Sequence, residues 1–121
     1  MAGRVVVCED DSVLRRVIES VLRNVGVDVI ADGDSVPSLM DVITHARPDV
    51  VVLDLIVVGT SEISEAIDDI RLIADKTSVV VFSAHDGLRA QALEAGAKTF
   101  VDKPDFDALG QAVLDVLAVQ Q

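Results

Sequence analysis

Four short apolar runs constrain this chain more than any other feature: Val5-Val6-Val7, Val50-Val51-Val52-Leu53, Val79-Val80-Val81-Phe82 and Thr99-Phe100-Val101. Most of their residues are β-branched, and none of the runs alternates with polar residues. A strand with one face in water alternates apolar and polar. A continuous apolar run of this length suits a strand covered on both faces, as in a parallel sheet. A weaker fifth run spans Val27 to Ile30.

Helical spacing fills the gaps. Leu14, Val17, Ile18, Val21, Leu22 and Val25 mark a first helix, with Asp11 or Ser12 as N-cap and Gly26 as its stop. Leu39, Met40, Val42 and Ile43 mark a second, with Pro37 tolerated in the first turn. Ile63, Ala66, Ile67, Ile70, Ile73 and Ala74 mark a third. Leu88, Ala92, Leu93 and Ala95 mark a short fourth, ended by Gly96. Leu109, Val113, Leu114, Val116 and Leu117 mark the last. Strand then helix, five times over, is the pattern of an α/β fold: a doubly wound, five-stranded parallel sheet with helices on both faces. The 121 residues suit one domain, 1–121, and show no repeat or linker.

Charge narrows the function. Lys and Arg total 10 against 21 Asp and Glu, a formal charge of −11. Direct nucleic-acid binding needs cations to neutralise phosphates, so this balance argues against it, and against anionic membrane surfaces. The longest apolar stretch, Val50 to Val58, is broken by Asp54 and is far too short for a membrane span. The start of the chain lacks a signal-peptide layout, and the expected location is the cytoplasm. The single cysteine, Cys8, sits within a strand and reads as inert core; His45 and His85 have no ligand-like spacing, and His45 reads as surface.

What ends each strand carries the chemistry. The first ends in Glu9-Asp10-Asp11, the third in Asp54, the fourth in Ser83 and the fifth in Asp102-Lys103-Pro104. In an open parallel sheet the carboxyl ends share one edge, where ligands bind. Two carboxylates ~5 Å apart repel by roughly 3 kcal/mol at an effective dielectric of ~20. Lys103 offsets one charge, and a hard divalent cation suits the rest. Mg²⁺ takes one or two carboxylates, keeps several waters and accepts a phosphate oxygen. A free carboxylate beside a polarised phosphoryl donor is a route to an acyl phosphate. Taken one at a time, the same residues have plainer readings: Glu9-Asp10-Asp11 as helix-capping acids, Ser83 as a loop hydroxyl, Lys103 as a surface lysine and Phe100 as core.

In order, the motifs Val7-Cys8-Glu9-Asp10-Asp11, Pro48-Asp49-Val50-Val51-Val52-Leu53-Asp54, Val81-Phe82-Ser83-Ala84 and Phe100-Val101-Asp102-Lys103-Pro104 resemble the receiver domain of bacterial two-component response regulators. The resemblance implies the flavodoxin-like strand order 2-1-3-4-5. It implies Asp54 as the phospho-accepting nucleophile and Asp10 as a direct Mg²⁺ ligand. Glu9 would act on the metal through water, and the main-chain carbonyl of Ile56 would be a further ligand. Ser83 would stand at the switch hydroxyl, Lys103 beside the phosphoryl group and Phe100 at the aromatic switch position, with Lys103-Pro104 often cis. The implied partners are a sensor histidine kinase or phosphotransfer protein and a downstream target or covalently linked output domain. A homodimer through the fourth helix, fifth strand and fifth helix is a further implication.

The loop after Asp54 departs from the family pattern. It reads Ile56-Val57-Val58-Gly59-Thr60-Ser61-Glu62, with Val58 where the family commonly has proline and without the later Asp-Gly. Ile56 and His85 occupy the two flanking positions that tune phosphoryl lifetime in the family. The altered loop keeps open a pseudo-receiver that serves as a phosphorylation-independent dimerisation or docking module. A phosphohydrolase of the haloacid dehalogenase type would need a second acid two residues after the nucleophile, where Ile56 stands.

Overall fold

The computed structural model describes residues 3–55 and 60–120. Five strands alternate with five helices: β1 (Arg4–Cys8), α1 (Ser12–Asn24), β2 (Asp28–Gly33), α2 (Val36–Ala46), β3 (Val50–Leu53), α3 (Thr60–Ala74), β4 (Ser78–Ser83), α4 (Arg89–Glu94), β5 (Thr99–Asp102) and α5 (Phe106–Val119). A single 3₁₀ turn, Asp86–Leu88, leads into α4. All paired strands are parallel, in the order β2-β1-β3-β4-β5.

The two-residue period of a strand explains the valine runs. Val5, Val7, Val50, Val52, Val80, Phe82 and Val101 point to one face, where Ile18 and Leu22 of α1 and Leu109 and Val113 of α5 cover them. Val6, Cys8, Val51, Leu53, Val79, Val81 and Phe100 point to the other, under α2, α3 and α4. Between their ends the inner strands are therefore apolar throughout, because neither face meets water; Arg4, Ser78 and Ser83 lie at strand ends.

Helix ends follow local chemistry. The Asp11 carboxylate accepts hydrogen bonds from the Val13 and Leu14 N–H groups, capping α1. Ser35 caps α2, with Pro37 in its first turn, and Asp105 caps α5. After α1 the chain turns at Gly26 with φ of 90°, a left-handed position that suits glycine.

Two expectations need correction. The second strand is Asp28–Gly33 rather than Val27 to Ile30; Val27 is buried ahead of it. β2 is an edge strand, so it admits Asp32 and Gly33, which apolar-run reasoning passes over. Leu93 and Val17 lie at the open margins of their helices, about 40% exposed (41% and 39%). The buried stripe of α4 and its preceding turn is Leu88, Ala92 and Ala95, and Leu93 is rotated off it.

Candidate functional site

The residue after each of β1, β3 and β5 is still held by its neighbour's backbone. Glu9 N–H donates to Gly33 O, Asp54 N–H to Cys8 O and Lys103 N–H to Ser83 O, each at 3.0 Å. Residues distant in sequence are thus fixed on one edge of the sheet. Glu9, Asp10 and Asp54 offer carboxylate oxygens that lie within 4.8 Å of one another. Lys103 Nζ donates to Asp54 Oδ1 at 2.6 Å and to Glu9 Oε2 at 3.1 Å. The Lys103–Pro104 peptide bond is cis.

Electrostatics sets the behaviour of this cluster. Glu9 is 2% exposed. Burial is the main cause that raises its carboxyl to about 7, and the Asp54 charge adds to it; Lys103 opposes both. The Lys103 ammonium loses hydration, yet its bonds to Asp54 and Glu9 outweigh that loss and raise its pKa. With Glu9 ionised, three acids and one ammonium leave two negative charges, which matches one divalent cation. The donor set is oxygen only, which suits a hard ion such as Mg²⁺. Glu9 has both oxygens engaged, Oε2 by Lys103 and Oε1 by the Asp11 N–H at 3.3 Å. Asp10 is exposed and more open to a ligand.

Ser83 is fully buried. Its Oγ accepts from the His85 N–H at 3.1 Å and donates to Leu55 O at 3.3 Å, which places the hydroxyl beside the residue that follows Asp54. Phe100 is 4% exposed and packs on the α3–α4 face of the sheet, apart from the carboxylates. Ile56 lies outside the described residues, as does the segment 57–59. Cys8 is buried core as expected, and burial pushes its thiol up to about 12. His45 is exposed.

The acids open onto a cleft of about 220 Å³ that Cys8 also lines. Its walls add Asp34, Glu65 and Asp69, none of which the strand-end argument reached. Asp34 directly follows Gly33, so the same argument applied to the true end of β2 would have found it. Glu65 and Asp69 come from α3 and carry no such signal. Burial, then Glu65 and Asp68, raise the Asp69 carboxyl above its ordinary value.

A family model described as the response regulator receiver domain matches residues 5–114. The chain belongs to that family. Receiver domains act in phosphorylation-controlled, two-component signalling. This receiver is 33% identical over 108 residues to a protein-glutamate methylesterase/protein-glutamine glutaminase of Haloarcula marismortui, covering 84% of this chain and 28% of that protein. It thus spans about a quarter of that relative's length. It is 26% identical to chemotaxis protein CheY of Bacillus subtilis, covering 86% of this chain and 88% of that one. Its fold superposes on the signal receiver domain of response regulator NarL from Mycobacterium tuberculosis with a TM-score of 0.78, at 30% identity and 94% coverage of both chains. Among the described residues no helix is long and apolar enough to cross a membrane.

Proposed function

We propose that residues 1–121 form a receiver domain that takes a phosphoryl group from a phosphohistidine donor onto Asp54. The observation that carries this reading is Asp54 Oδ1 held 2.6 Å from Lys103 Nζ, with Glu9 and Asp10 oxygens alongside. Asp10, Asp54 and the Ile56 main-chain carbonyl would hold Mg²⁺, with Glu9 acting through water. Magnesium, when bound, supplies charge neutralisation and a Lewis-acidic contact for a phosphoryl oxygen.

In the transfer, an Asp54 carboxylate oxygen attacks phosphorus in line with the departing imidazole nitrogen. The new O–P bond forms as the N–P bond breaks, and the nitrogen keeps its electron pair. Lys103 shifts one of its donors to a phosphoryl oxygen and meets the charge there. The Ser83 hydroxyl leaves Leu55 O and donates to a second phosphoryl oxygen. That movement, felt at Phe100, shifts the population of the face made by α4, β5 and α5. The domain catalyses its own phosphorylation and slow dephosphorylation; its output is binding. Its partners are a histidine kinase or phosphotransfer protein, and a downstream protein, output domain or second copy at that face. The cytoplasm is the compartment where such donors meet it.

Intact-mass measurement after acetyl phosphate and Mg²⁺ tests the assignment. Wild type gains the mass of one phosphoryl group and Asp54→Asn gains none. A folded wild type without an adduct, or an adduct retained in Asp54→Asn, refutes it.

A further inference from the structure

The aromatic of β5 points into the core, 4% exposed, and the Arg89 side chain lies over its ring. The Arg89 guanidinium carbon lies 4.8 Å from the Phe100 ring centroid, within cation–π range. Arg89 Nη1 donates to Phe100 O at 2.9 Å, and Nη2 donates to Asp102 Oδ2 at 2.8 Å. Phe100 and Asp102 are two residues apart and so share one face of β5. A planar fork spans the ring, the carbonyl and the carboxylate together; a lysine ammonium would not.

Magnitudes decide what the cluster does. The Arg89–Asp102 pair is half exposed and weak by itself. Joined to a charge-assisted bond to a main-chain carbonyl and a stacked ring, it closes a three-point clasp. The clasp also ties down α4, a helix of only six residues, too short to stand on its own propensity.

We propose that Arg89 is a latch that holds Phe100 inward and pins α4 to β5. The ring is thereby held inward, and a phosphoryl-driven shift of the α4–β5–α5 face proceeds with Phe100 still buried. Arg89 acts through Phe100 and is a positioning residue. The inference deepens the phosphorylation reading above and rests on it only for the response to phosphoryl.

Fluorine NMR of the full chain, labelled with 3-fluorophenylalanine, tests it. Three phenylalanines, Phe82, Phe100 and Phe106, give three signals, and the one lost in Phe100→Leu belongs to Phe100. The shift of each signal between H₂O and D₂O reads solvent exposure. In wild type the Phe100 signal matches buried Phe82 in its small solvent shift, with or without Mg²⁺ and beryllofluoride. In Arg89→Ala it gains a solvent shift at rest, and beryllofluoride with Mg²⁺ removes it. Asp102→Asn moves the resting signal in the same direction by less, and decides the matter should Arg89→Ala fail to fold. A Phe100 signal as shielded in the variants as in wild type overturns the latch, and so does a solvent-exposed Phe100 in resting wild type. Resting spectra need no phosphoryl acceptor. A moved resting signal with no beryllofluoride response therefore counts against Asp54 phosphorylation and not against the latch.

Discussion

Asp54→Asn is predicted to stabilise the metal-free protein, although it breaks the shortest ion pair of the site. Removing the charge forfeits attraction to Lys103 at 2.6 Å, roughly 6 kcal/mol at an effective dielectric of ~20. Above pH 7, where Glu9 is ionised, it also relieves repulsion from Glu9, whose oxygen lies within 4.8 Å, by ~3 kcal/mol. Exposed Asp10, screened by water, adds about 1 kcal/mol of relief. The Asp54 side chain is 5% exposed, so dropping its charge recovers about 3 kcal/mol of desolvation. The asparagine oxygen still accepts a bond from Lys103, worth about 1 kcal/mol. Lys103 meanwhile keeps Glu9 as its ionic partner. The balance favours Asn by about 2 kcal/mol, a rise in Tm of roughly 5–10 °C for a domain of this size. Thermal unfolding by far-ultraviolet circular dichroism in chelator measures it; the chain has no Trp or Tyr for fluorescence. Mg²⁺ at a hundred times its Kd would then raise wild type by about 2.7 kcal/mol and the variant by less. A metal-free Asp54→Asn that melts below wild type refutes the clustered-charge argument.

Lys103→Met leaves Glu9 and Asp54 without their shared cation and should cost about 3–5 kcal/mol at neutral pH; chemical denaturation measures it, and a neutral result removes the buried triad. Glu19 of α1 is buried, and burial first, then the neighbouring Asp32 carboxyl, raise its pKa above the ordinary 4.5. Between the ordinary and the raised pKa the folded state therefore binds more protons than the unfolded chain. Stability falls as pH rises from about 4.5 through the raised pKa, and Glu19→Gln flattens that slope in denaturant titrations across pH. An unchanged slope counts against the buried carboxyl. Gly96 has φ of 120°, and a Cβ there would meet Ala74 Cβ at 2.8 Å. Gly96→Ala should cost about 1–3 kcal/mol in urea unfolding, and an unaltered midpoint would contradict the strained turn between α4 and β5.

The parts of this molecule that could be read in advance share one cause. Where both faces of a strand are covered, its central side chains must be apolar, so β1, β3 and β4 announce themselves, and so does edge strand β5 at its buried Phe100 and Val101. Asp54, Glu9, Asp10, Ser83 and Lys103 were legible because each lies within two residues of the end of such a strand, where polar residues break the pattern. β2 was placed early because its residues are only partly covered and so need not be apolar, and Asp34 was lost with it. Lys103 serving Glu9 as well as Asp54 had no local signal. Arg89 had none either: its partners lie 11 and 13 residues away across a turn, and only the packing of α4 on β5 aligns them.

Residue order by itself determined the alternation of strand and helix, the caps, and the set of polar groups delivered to one end of the sheet. These follow from hydrophobic periodicity and backbone hydrogen bonding, which act over a few residues. Tertiary structure alone decided which charges touch, how dry each became and which side chain covers Phe100. Coulomb energies and desolvation depend on distances through space, and the register of neighbouring strands sets those distances.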